Sequence, residues 1–217
     1  MNVQGYHESR FQHSTQRDVV WKTLIQAVFQ KMSPTGGTVL ELGAGYCEFI
    51  NNITAAKKIA VDLWPQFPSY ANKDVQAVVG EVSNLDFVTN TSVDTVFASN
   101  LFEHLDQDEF AACLSEIKRK LTANGRLIIM QPNYRYASTE YFDDYTHKAI
   151  WSHVSIRDFL DAHGFDVTDL QPRFLPLSMK SRLPSWPILI KTYLKSPFKF
   201  MGKQMLVVAQ VKKSGAL

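Results

Sequence analysis

The sequence predicts an α/β fold, a doubly wound and mostly parallel sheet covered on both faces by helices. Short runs rich in Val, Ile, Leu and Ala alternate with segments of helical periodicity, which is the pattern of βαβ units. The first run leads at once into Gly43-Ala44-Gly45, a turn suited to carrying a strand into a helix. The second ends on a carboxylate, Asp62, placed at the carboxyl edge where a parallel sheet receives ligands.

Taken in order, residues 17–32 carry Val20, Trp21, Leu24, Ile25, Val28 and Phe29 at helical spacing, closed by Pro34, Gly36 and Gly37. Thr38–Leu42 reads as a short buried strand, followed by the glycine turn and a helix through Phe49, Ile50 and Ile53. Strands are expected at 58–62, 75–79 (ending at Gly80) and 94–98. A helix from about Asp106 places Phe110, Leu114, Ile117 and Leu121 on one stripe. Asn124-Gly125 is expected to turn the chain into a fifth strand at 126–130. A helix at 155–163, a strand at 165–170 and a last strand at 204–211 complete the pattern. Single turn signals and the lack of repeats or linkers suggest one domain over 1–217, with an N-terminal helical lid at 1–35 and a basic, aromatic insert at 173–203.

With 217 residues, 45% hydrophobic and 20% charged, the chain can bury a sizeable core and has a globular profile. No apolar run approaches the roughly 20 residues that cross a bilayer. The polar start lacks the layout of a signal peptide, and only Cys47 and Cys113 occur, so a reducing, cytoplasmic setting is expected. The net charge of +2 hides a polarity: residues 1–169 hold 14 Lys/Arg and all 21 Asp/Glu, whereas 170–217 hold nine Lys/Arg and no acid.

The glycine loop together with a strand-end acid about 20 residues later points to an adenosine-type ligand. The third glycine of G-x-G-x-x-G is replaced by Glu48, which disfavours a pyrophosphate, and no G-x-x-x-x-G-K-[ST] occurs. Glu41, two residues before Gly43, is a carboxylate inside a buried strand and needs a partner. A cationic ligand suits it, and S-adenosylmethionine carries both an ammonium and a sulfonium.

Val39-Leu40-Glu41-Leu42-Gly43-Ala44-Gly45 resembles the first motif of class I S-adenosylmethionine methyltransferases, and Asp62 matches their ribose-binding acid. Gly80-Glu81-Val82-Ser83-Asn84-Leu85 is similar to their adenine-contacting segment, and residues 92–105 resemble their fourth-strand motif. The resemblance runs in order over about residues 36–170, with a final strand near 205–211, and looks closest to bacterial small-molecule members. It implies a seven-stranded sheet whose last strand is antiparallel. It implies S-adenosylmethionine as cofactor, held by Glu41, Gly43, Ala44, Gly45, Asp62, Leu63, Glu81, Val82, Asn100 and Leu101. Two departures stand out: Glu81 replaces the commoner Asp, and Tyr46-Cys47-Glu48 is bulkier than usual after the glycines.

Some members of that family carry Glu-x-x-Glu-His on the fourth-strand motif and hold a divalent metal. Here the pattern is Asn100-x-x-Glu103-His104, one anionic ligand short, and no metal is expected. His104 is the first candidate general base, against a plainer reading of Glu103-His104 as a polar pair at a helix start. His147 is the second, in a loop (141–147) whose two acids and two tyrosines suit an acceptor site as well as they suit a solvated loop. The mixture of Lys and Arg with Trp, Tyr and Phe in 173–203 suggests contact with anionic lipid or with a lipid-linked or phosphorylated acceptor. Simple packing on the sheet competes with that reading, and nucleic acid ranks last. The expected activity is methyl transfer to a hydroxyl, carboxyl or amine of a small molecule, such as a sugar or lipid precursor. The alternative is a catalytically silent protein that keeps the cofactor fold; a nicotinamide enzyme is disfavoured by the missing third glycine.

Overall fold

The structure, a computed structural model, describes residues 15–176 and 186–213. The first part of the expected lid (1–14) and the portion of the expected insert at 177–185, with Lys180 and Arg182, lie outside the described residues.

Seven strands form one sheet: β1 Thr38–Leu42, β2 Lys57–Asp62, β3 Val75–Val79, β4 Val93–Ser99, β5 Leu121–Pro132, β6 Phe165–Pro176 and β7 Gly202–Val211, in the order β3-β2-β1-β4-β5-β7-β6. β7 lies antiparallel between β5 and β6, while β1 to β5 pair in parallel. The order reverses between β1 and β4, so a crevice opens beyond their carboxyl ends.

Strand alternation splits the core in two. Leu40, Leu42, Ile59, Val61, Val96 and Ala98 face one side, where they meet α3 (Gln107–Lys120) and α5 (His153–Ala162) through Phe110, Leu114, Ile117, Ile156 and Leu160. Val39, Ala60, Phe97, Ile128 and Met130 face the other, against α1 (Thr15–Leu24) and α2 (Glu48–Asn52) through Trp21, Leu24, Phe49 and Ile50. α3 starts where sequence rules place it: Asp106 accepts the Glu109 N–H while the Glu109 side chain returns to the Asp106 N–H, and Lys118, Arg119 and Lys120 close the last turn. Ser152 and Ser155 form the corresponding box at α5.

Several expectations shift. The helix expected at 17–32 begins at Thr15 and passes through a wide π turn, Ile25–Phe29, which keeps Ile25 and Phe29 in the core. Asn124-Gly125 sits inside β5 rather than before it. Pairing with β4 jumps from Val93↔Leu121 to Thr95↔Arg126, and a Cβ at 125 would meet the Val93 carbonyl at 2.8 Å. β6 and β7 are both longer than expected. The insert contains a helix, α6 (Pro187–Lys195), which packs against α1, and a short α4 (Tyr134–Ala137) follows β5.

Candidate active site

β1 ends in the glycine loop. Gly43 and Gly45 both adopt positive φ (67° and 50°), and a Cβ on Gly43 would come within 3.1 Å of Leu101 Cδ1. The N–H groups of Gly43 and Ala44 both donate to the Val61 carbonyl. Asp62, at the end of β2, accepts the Gly45 N–H at Oδ2 (2.8 Å) and the Trp64 N–H at Oδ1 (2.8 Å). This carboxylate therefore braces the loop from beneath. Around it lies a cavity of about 310 Å³ at the β1/β4 crevice. Its lining brings together Glu41, Gly43, Ala44, Gly45, Asp62, Leu63, Glu81, Val82, Asn100, Leu101 and His104.

Alternation turns Glu41 toward α2, where its Oε2 accepts the Ile50 N–H at 3.0 Å. Burial pushes its carboxyl well above the usual carboxylate range, opposed by that hydrogen bond and reinforced by nearby Glu48 and Asp62. Glu48 does not stand alone as an acid at the helix start: Arg17 of α1 donates to it at 2.6 Å. Arg17 and Trp21 both line the cavity, and neither is singled out as a site residue by sequence reasoning. The available signal was their spacing, since residues four apart share a helix face and Trp21 marks the inward one. Besides the buried Glu41, four carboxylates, from Glu48, Asp62, Glu81 and Glu109, line the cavity against the single guanidinium of Arg17, which suits a cationic ligand.

Beyond β4 the chain enters Asn100 at φ 49°, with its Oδ1 accepting from Gln204 Nε2 of β7 at 3.1 Å. Glu103, His104 and His147 follow as a cluster, each offering one ligand atom, all within 4.8 Å of one another. Glu103 is fully buried, neither of its oxygens has a hydrogen-bond partner, and burial pushes its carboxyl up to about 8. His104 Nδ1 lies 2.9 Å from Thr146 Oγ1, which in turn donates to Asp144 Oδ1 at 2.6 Å. The Thr146 hydroxyl has one proton and gives it to Asp144, so it accepts from His104, placing the imidazole proton on Nδ1. His147 is not in the cavity wall; its ring packs against those of His104 (4.8 Å between centroids) and Tyr141 (4.6 Å). Tyr141 is buried, with its hydroxyl donating to the Ala149 carbonyl, whereas Phe142 and Tyr145 of the same loop are exposed.

Residues 40–129 match a family described as a methyltransferase domain. Solved structures share the fold of this chain along nearly its whole length. An S-adenosylmethionine-dependent methyltransferase from Archaeoglobus fulgidus is 20% identical, with 96% of this chain and 99% of that chain covered and a TM-score of 0.68. The Haloferax volcanii protein in complex with the Trm112 methyltransferase activator is 18% identical, with 93% of each chain covered and a TM-score of 0.67. A Clostridium acetobutylicum S-adenosylmethionine-dependent methyltransferase is 11% identical over 97% of each chain, with a TM-score of 0.63. No curated protein sequence matches the chain. The acid-rich lining of the cavity is in keeping with a cationic ligand such as S-adenosylmethionine.

Proposed function

We infer that the chain is a methyltransferase acting on a hydroxyl of a small-molecule acceptor, with His104 as the general base. Asp62 and Glu81 would take the ribose and adenine polar groups, and Glu41 with the loop at Gly43–Gly45 the amino-acid end. Leu63, Val82 and Leu101 supply apolar walls, and the helix at 15–32 covers the cavity through Arg17 and Trp21. Bound there, S-adenosylmethionine supplies a methyl group on a cationic sulfur. The remaining work of the protein is to align the acceptor with that carbon and exclude water.

The observation that carries the base assignment is the His104–Thr146–Asp144 chain. With the proton on Nδ1, Nε2 is the basic nitrogen, the one that takes the acceptor's hydroxyl proton as its oxygen is methylated. Carboxylate acceptors arrive deprotonated and have no use for such a chain. The test is methyl transfer to hydroxyl-, carboxyl- and amine-bearing acceptors by the wild type and His104→Gln. Transfer to the hydroxyl class, lowered about 10²–10⁴-fold in the variant with S-adenosylhomocysteine affinity intact, supports the reading. Undiminished transfer by the variant refutes it, and cofactor binding with no transfer to any class favours the silent alternative.

The grouping of Glu103, His104 and His147 favours one second reading, a divalent cation that would bind the acceptor oxygen in place of a free base. Loss of transfer in chelator, restored by Mg²⁺ or Mn²⁺, selects it.

A further inference from the structure

The surface of residues 186–201 is absorbed neither by the cofactor site nor by the acceptor site. α6 turns Ile190 and Leu194 onto the core beneath α1 and leaves Ile188, Lys191 and Lys195 facing out. The turn after it is built to keep large apolar side chains in solvent. Lys199 folds back to donate to the Tyr193 and Leu194 carbonyls (2.9 and 2.7 Å), closing the end of α6. Ser196 Oγ accepts the Phe198 N–H at 3.1 Å, and Met201 takes a left-handed conformation, φ 57°, unusual for a non-glycine residue. The result is Trp186, Ile188, Phe198, Phe200 and Met201 exposed by 61%, 66%, 70%, 76% and 75%. A chain gains nothing in water by bracing such residues outward.

We propose that this face seats the methyltransferase on an anionic lipid surface, with the apolar side chains in the headgroup boundary and Lys191 and Lys195 against the lipid phosphates. Charge selects the occupant. Residues 170–217 contain no acid, so a second copy of the same face would set like charge against like, whereas an anionic bilayer complements both the lysines and the apolar tips. The contact is superficial, since α6 has nine residues and no helix among the described residues is long and apolar enough to cross a membrane. Position links it to the site. The turn feeds β7 at Gly202, and Gln204 pairs with Pro132 at the carboxyl end of β5 while holding Asn100 of the cavity wall. The turn therefore lies at the carboxyl end of the parallel strands, the same end of the sheet as the cavity, so an acceptor borne by the membrane would reach it from that end.

The chain provides its own reporter. Of its four tryptophans, Trp21, Trp64 and Trp151 are buried and Trp186 is exposed. The full chain is mixed with phosphatidylcholine vesicles, with and without phosphatidylglycerol, and followed by flotation and tryptophan emission. The expected result is flotation and a blue shift with phosphatidylglycerol vesicles, the shift disappearing in Trp186→Phe. Phe198→Ser combined with Phe200→Ser should weaken partitioning by more than about tenfold. Neutralising Lys191 and Lys195 as Gln should cost about fivefold each. S-adenosylhomocysteine affinity should stay at the wild-type value in every variant, which separates a failure of this proposal from a failure of folding or of the cofactor assignment. The proposal is overturned by no flotation with either vesicle, by flotation indifferent to the phenylalanine changes, or by binding to single-stranded RNA in place of vesicles.

Discussion

Replacing Asp62 by Asn tests whether this residue braces the glycine loop in addition to the ribose contact proposed for it. Both carboxylate oxygens already accept backbone N–H groups, from Gly45 and Trp64, each at 2.8 Å. An amide of the same shape can accept one of them, and its NH₂ then faces the other donor. Hydrogen bonds to a charged group are worth about 1.5–3 kcal/mol, so Asp62→Asn should lose about 2 kcal/mol of folding stability and Asp62→Ala more. For a chain of this length that lowers the melting temperature by about 4–8 °C. Because the loop it braces carries Gly43 and Gly45, affinity for S-adenosylhomocysteine should fall in the same variants. Urea denaturation without ligand, paired with calorimetric titration, separates the two effects. An unchanged urea midpoint in Asp62→Asn would refute the bracing argument, even if cofactor binding were lost, since the acid would then matter to the ligand alone.

Three further outcomes follow from single observations. Glu103 is held protonated up to about pH 8 by burial, so wild-type stability in chelator should fall as pH rises from the ordinary carboxylate range through that value. Glu103→Gln should not share this fall, and the difference, about 5 kcal/mol by alkaline pH, is read from urea midpoints across pH; parallel profiles would contradict it. Gly43→Ala forces a side chain into φ 67° and against Leu101, so it should cost about 1–2 kcal/mol in thermal denaturation and weaken cofactor binding; wild-type behaviour in both would show that the loop relaxes freely. Cys47 and Cys113 are buried thiols whose acidity burial suppresses, so neither should react with a thiol reagent in the native protein, and both should react once it unfolds.

That the glycine loop and its acids meet at one cavity was legible because the signals are local. Gly43 and Gly45 follow a strand directly, Asp62 ends the next one, and Glu41 lies inside a buried run, so spacing alone puts them at one sheet edge. Asn124-Gly125 misled for the same reason: a turn dipeptide reports backbone preference, and only the pairing of β4 with β5 shows that the strand bulges there and continues. The surroundings of His104 were legible only in part. His104 could be proposed from its neighbours, but its proton is placed by Thr146 and Asp144, some 40 residues away, which no periodicity connects to it.

The sequence by itself determined the seven strands, the principal helices and the sheet end that holds the glycine loop and its acids, because periodicity and turn chemistry act over a few residues. Only the tertiary structure decided that β7 enters between β5 and β6 and brings Gln204 to Asn100, that Arg17 reaches Glu48, and that Phe198, Phe200 and Met201 stay exposed in the turn before β7. Those meetings depend on the order in which strands assemble, which is set by the burial of both faces of the whole sheet at once and by no local run of residues.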